Sequence, residues 1–106
     1  MEKIKFYNKL VRDKIPAIIE SKGAKCTTVI VSQNTYLDLL DMKLCEELTE
    51  FRTDHSQEEL ADMLEVMMTV AKARGYDWNQ ILEIQAKKRE ERGGFNDRIV
   101  LISTEE

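Results

Sequence analysis

From Asn34 to Arg74 the sequence keeps a helical apolar rhythm that breaks once, at the polar triplet Asp54-His55-Ser56. Two helices joined by so short a connection must run antiparallel and pack on each other. Helix breakers are rare elsewhere, with 4 Gly and 1 Pro in 106 residues. Gly23, Gly75 and the pair Gly93-Gly94 fall where helical stretches end, at positions where glycine enters the left-handed region without a Cβ penalty. The pattern predicts a first helix over residues 13–22, with Asp13 as N-cap and Pro16 in its first turn. A second helix, capped by Asn34 or Thr35 with Asp38 completing a capping-box-like pattern, reaches about Arg52. A third runs from the polar turn to Arg74. Asp77, with Gln80 three residues later, opens a fourth that lasts to about Arg92. Residues 27–32 (Thr-Thr-Val-Ile-Val-Ser) and 98–103 (Arg-Ile-Val-Leu-Ile-Ser) read as strands, which must pair because an isolated strand is not viable. The expectation is a single all-α domain over residues 1–106, an antiparallel bundle of about four helices with a short two-stranded ribbon.

The bulk numbers exclude several function classes. Apolar residues at 42% and charged residues at 34% describe a folded, helix-rich chain rather than a disordered one. Sixteen Lys+Arg against 20 Asp+Glu give a net charge of -4, which argues against a general nucleic-acid binder. No apolar run approaches the roughly 18 to 20 residues that span a bilayer. The N-terminus lacks the apolar core of a signal peptide. Cys26 and Cys45, without CxxC spacing, read as free thiols of a reducing compartment, and the expected location is cytoplasmic. A monomer this short gains stability easily by burying surface against a second subunit, so a homo-oligomer is expected.

Chemistry concentrates in Glu46-Glu47-Leu48-Thr49-Glu50 and Glu59-Leu60-Ala61-Asp62. An EExxE run alone is usually a solvated face, but helical phase separates these carboxylates. At about 100° per residue, Leu37, Leu40, Leu44, Leu48 and Phe51 form an apolar arc of roughly 80° on the second helix. Glu47 falls about 20° beyond Leu40 and Glu50 roughly 60° further round, whereas Glu46 points much nearer the wet face. On the third helix Glu59 lies between Val66 and Val70 and Asp62 borders the apolar side, while Glu58 and Glu65 point away. Across a tip at Asp54-His55, Glu50 matches Glu59 in level and Glu47 matches Asp62. Four carboxylates near an apolar seam cannot all stay ionised without a cation. Oxygen ligands without His or Cys suit Mg²⁺ or Mn²⁺ rather than zinc. Ser56-Gln57-Glu58-Glu59 also fits a capping box that would occupy Glu59, and an N-cap at Asp54 would free it.

Three separated blocks carry a resemblance that covers nearly the whole chain: Phe6-Tyr7-Asn8-Lys9-Leu10-Val11-Arg12-Asp13-Lys14-Ile15-Pro16, the two acidic motifs, and Lys87-Lys88-Arg89-Glu90-Glu91-Arg92-Gly93-Gly94-Phe95. Together they resemble MazG-like nucleotide pyrophosphohydrolases, more narrowly the single-domain branch similar to phosphoribosyl-ATP pyrophosphohydrolases. The interval from Phe51 to Glu58 is shorter than in many members. The resemblance implies an all-α fold assembled as a homodimer or homotetramer. It also implies Mg²⁺-dependent hydrolysis of a nucleoside triphosphate between the α and β phosphates, giving a monophosphate and pyrophosphate. By position it makes Glu47, Glu50, Glu59 and Asp62 the metal carboxylates. Chemically, Glu47 or Glu50 is the candidate to take the proton of the attacking water, and Glu46 the candidate to support them from outside. The basic clusters supply partners for the phosphates, with Lys9, Arg12, Lys88 and Arg92 favoured. Phosphoribosyl-ATP is the alternative substrate on the same carboxylates, and a helical dimerisation or regulatory module without activity is the alternative of another class.

Other residues that invite a role have plainer readings. His55, the only histidine, belongs to an exposed turn. Met63, Met67 and Met68 read as packing residues. Trp78 reads as a helix anchor rather than a base-stacking platform, and Phe95 as packing rather than a lid.

Overall fold

The computed structural model describes residues 3–106. Its elements are α1 (Ile15–Ser21), α2 (Gln33–Asp54), α3 (Gln57–Ala73) and α4 (Trp78–Arg92), and no strand is formed among the described residues. The chain falls into two compact units, Met1–Gly75 and Tyr76–Glu106.

In the first unit α2 and α3 pack together as the expected antiparallel hairpin. Its far end is tied by Gln33 Nε2, which donates to the Ala73 carbonyl at 3.1 Å, and by Arg74 Nη2 at 3.5 Å from Asp41 Oδ2. Its tip is only His55-Ser56. His55 closes α2 in the left-handed region, φ 54°, with its N–H on the Phe51 carbonyl at 2.7 Å and its ring edge-on to Phe51 at 5.1 Å. A non-glycine residue at positive φ carries some strain, and here the capping bond and the aromatic contact hold it. Ser56 then starts α3, its Oγ accepting from the Glu59 N–H at 3.3 Å.

Buried apolar side chains are few: Leu40 on α2, Val66 and Ala71 on α3. Leu37, Leu44 and Phe51 are half-buried beside Leu40, so the α2 stripe faces α3 as its phase predicts. Leu48, at the edge of that stripe, is 45% exposed.

Local boundaries differ from the sequence expectation in ways the caps explain. Ser32, not Asn34 or Thr35, caps α2, because its Oγ accepts from the Thr35 N–H at 3.3 Å. The first helix starts at Ile15 with Lys14 as an unassisted N-cap, so Asp13 does not cap it. Pro16 lies in the first turn, where its missing N–H removes no intrahelical hydrogen bond. The two-stranded ribbon is not formed. Ser32 is taken by the α2 cap, its carbonyl accepting from the Tyr36 N–H at 2.8 Å, Arg98 sits at φ 60°, outside the extended region, and no ladder of backbone hydrogen bonds forms on either segment among the described residues. Val29, Ile30 and residues 99–102 are exposed as a result.

In the second unit Asp77 caps α4 as expected, its Oδ1 accepting from the Asn79 N–H at 2.8 Å. The helix ends at Gly93, φ 83°, where a side chain would be strained. Trp78 and Ile81 are half-buried, whereas Phe95 is fully exposed. Among the described residues no helix is long and apolar enough to cross a membrane.

If α2–α3 packing carries the stability of the first unit, truncating its best-buried contact is costly. Leu40→Ala should lower unfolding free energy by about 2–4 kcal/mol, against under about 1 kcal/mol for Leu48→Ala, measured by urea denaturation.

Candidate metal centre

Helical spacing alone brings Glu47 and Glu50 to one side of α2, since residues three apart are surface neighbours. The tight tip then places Glu59, one turn into α3, opposite them. One carboxylate oxygen from each of Glu47, Glu50 and Glu59 lies within 4.8 Å of the others. Glu47 is the deepest, with 6% of its surface exposed, and Glu50 is open to solvent.

The competing role for Glu59 does not occur. The Ser56 N–H donates to Asp54 Oδ1 at 3.0 Å, leaving no capping bond for the Glu59 carboxylate to make. Glu59 Oε2 and Glu47 Oε2 are instead buried without a hydrogen-bond partner. Burial, then the neighbouring charge of Glu50, pushes the Glu59 carboxyl up to about 7. A protonated Glu59 relieves part of the repulsion, and a cation would relieve it differently.

Around this group lies a ring of ion pairs. Lys43 Nζ stands 3.1 Å from Glu46 Oε2 and 3.4 Å from Glu47 Oε1. Lys9 Nζ reaches the other Glu46 oxygen at 2.8 Å. That hydrogen bond draws the Glu46 carboxyl below its ordinary range and raises the Lys9 ammonium above its own. Glu46 is therefore half-buried under basic side chains rather than turned towards the wet face. Arg12 Nη2 holds Asp62 Oδ1 at 2.7 Å. Asp62, expected level with Glu47, thus faces Arg12 and is not one of the three converging carboxylates.

Of the basic residues picked out for phosphate contacts, Lys9 and Arg12 sit beside these acids. Lys88 and Arg92 lie one turn apart on α4 in the second unit, both exposed. Lys43 was missed by sequence reasoning. Its signal was the i,i+3 and i,i+4 spacing to Glu46 and Glu47, which puts its ammonium within reach of both. No family model, curated protein or solved structure matches the chain.

The donor set fits a hard divalent cation. All three candidate ligands are carboxylate oxygens, and on two of these residues, Glu47 and Glu59, a buried oxygen has no hydrogen-bond partner among the described residues.

The Glu59 shift fixes the sign of a pH effect in metal-free protein. The folded chain keeps this proton up to about 7, whereas the unfolded chain releases it near the ordinary 4.5. Between these values the folded state binds more protons, so stability is highest below the window and falls as pH rises through it. Thermal melts in EDTA should show Tm dropping from pH 4.5 to 7, and Glu59→Gln should flatten that slope.

Proposed function

We propose that this protein is a MazG-like nucleoside triphosphate pyrophosphohydrolase that uses Mg²⁺, or Mn²⁺ in its place. The observation that supports this most directly is the convergence of Glu47, Glu50 and Glu59 with the Glu47 and Glu59 oxygens buried and unpartnered. Such a group is costly to keep in a fold unless a cation completes it. The N-terminal block and the basic run on α4, which with the acidic motifs carry the sequence resemblance, add weight.

In this reading Glu47, Glu50 and Glu59 would hold the ion, with Asp62 joining them. Glu50, the solvent-open member, accepts the proton of the attacking water. Mg²⁺, when bound, supplies positive charge to the phosphate oxygens and acidifies water. Lys9 and Arg12 beside the acids bind the triphosphate oxygens and neutralise charge as it develops, and Lys88 and Arg92 of α4 are proposed for phosphate contacts from the sequence alone. Glu46, held by Lys9 and Lys43, keeps those ammonium groups in place.

The reading includes a homodimer or homotetramer working in the cytoplasm, where Cys26 and Cys45 stay reduced. Leu48, Leu60, Leu64 and Met67 remain between 44% and 52% exposed on the hairpin, apolar surface that a second copy would cover.

The test is pyrophosphate release from a panel of standard and damaged nucleoside triphosphates and phosphoribosyl-ATP, with and without Mg²⁺. The expected result is metal-dependent release from triphosphates, with Glu50→Gln and Asp62→Asn reducing turnover at least ~100-fold while helix content is unchanged. Turnover of phosphoribosyl-ATP alone would transfer the same carboxylates to that substrate. No release from any nucleotide, with Mg²⁺ altering only thermal stability, would leave a non-catalytic helical module.

A further inference from the structure

The N-terminal segment before α1 crosses the hairpin and touches both of its helices. Lys9 reaches α2 at Glu46, and Arg12 reaches α3 at Asp62, at 2.8 and 2.7 Å. Three residues of extended chain span about 10 Å, close to the separation of two packed helix axes. Asn8, at φ 48°, sits immediately before this crossing, in a left-handed conformation asparagine tolerates better than most residues. The outer acids, Glu46 and Asp62, are thus ion-paired to the segment, whereas the inner oxygens Glu47 Oε2 and Glu59 Oε2 are left without partners. Helix register had placed Asp62 with the inner group. In the structure Asp62 is paired with Arg12 and is not one of that group.

We propose that Arg12 is a displaceable counter-ion that holds Asp62 away from the inner carboxylates until a divalent cation enters, and is then released to the phosphates. The inference rests on the metal-dependent reading above and names how loading of that site is controlled. Arg12 acts on the cation through Asp62, so at this stage it is a positioning residue. Both side chains of the pair are partly open to solvent, 56% for Arg12 and 37% for Asp62. Pairs so exposed are weak, which is what an exchangeable contact requires. Entry of the cation replaces one positive partner of Asp62 with another. The freed guanidinium then presents its forked donors beside the site, where phosphate oxygens arrive.

A double-mutant cycle on Mn²⁺ affinity, read by electron paramagnetic resonance on the full chain without nucleotide, tests this. Arg12→Gln should tighten Mn²⁺ binding about three- to tenfold in the parent and leave it unchanged in an Asp62→Asn background. Arg12→Lys, which keeps the charge but loses the fork, should gain less than Arg12→Gln. Equal gains in both backgrounds would mean a through-space charge effect and overturn the proposal. So would no gain, or no Mn²⁺ binding by the parent at millimolar concentration. Far-UV circular dichroism confirms that each variant is folded. Pyrophosphate release is measured separately: its absence from a protein that still shows the cycle would remove the hydrolase reading and leave the counter-ion exchange standing.

Discussion

The packing of α2 on α3 across a connection of two residues is the contact on which everything else in the first unit depends. It buries Leu40 on α2 and Val66 and Ala71 on α3, and it holds Glu59 opposite Glu47 and Glu50. Because the tip is so short, the phase of α3 follows from the phase of α2. A carboxylate three residues along one helix therefore finds a partner on the other without any loop to adjust it. The apolar seam and the acidic cluster are two faces of one register.

That register also explains an electrostatic conflict inside the hairpin. Burial penalises ionised carboxylates, and mutual repulsion adds to the penalty. The chain answers in layers. At the outside, Lys9, Lys43 and Arg12 neutralise Glu46 and Asp62 with exposed or half-exposed ion pairs. At the inside, Lys43 reaches one oxygen of Glu47, and a proton on Glu59 takes up part of the remaining charge. The unpartnered oxygens are what these layers leave over, and they are the part of the structure that a cation would change most.

Much of this was legible in the sequence, and the reasons differ by residue. The hairpin and the Leu37–Leu40–Leu44–Phe51 stripe follow from periodicity, and Glu47 from its angle to that stripe, though its depth exceeds what an edge position implied. The conflict between capping and ligation at Glu59 was visible, with an N-cap at Asp54 expected to free Glu59; the N-cap is Ser56 instead, and Asp54 leaves Glu59 free by taking the Ser56 N–H. Asp62 shows the limit of register arguments. Its level on α3 is as expected, yet a side chain from a segment 50 residues earlier sets its direction, and no local pattern encodes that contact. The strand expectations for residues 27–32 and 98–103 came from β-branched composition alone. Composition sets a preference for extended backbone but supplies no hydrogen-bonding partner.

The brevity of the His55-Ser56 tip has a kinetic side. Chain closure over so few residues costs little entropy, and the contacts nearest the tip are close in sequence, so the tip end of the hairpin can form before the far end does. Glu47, Glu50 and Glu59 are consequently brought together as soon as the two helices meet. Their repulsion works against the earliest tertiary step rather than a late one, and any solute that screens it acts on the rate at which the hairpin closes as well as on the finished fold.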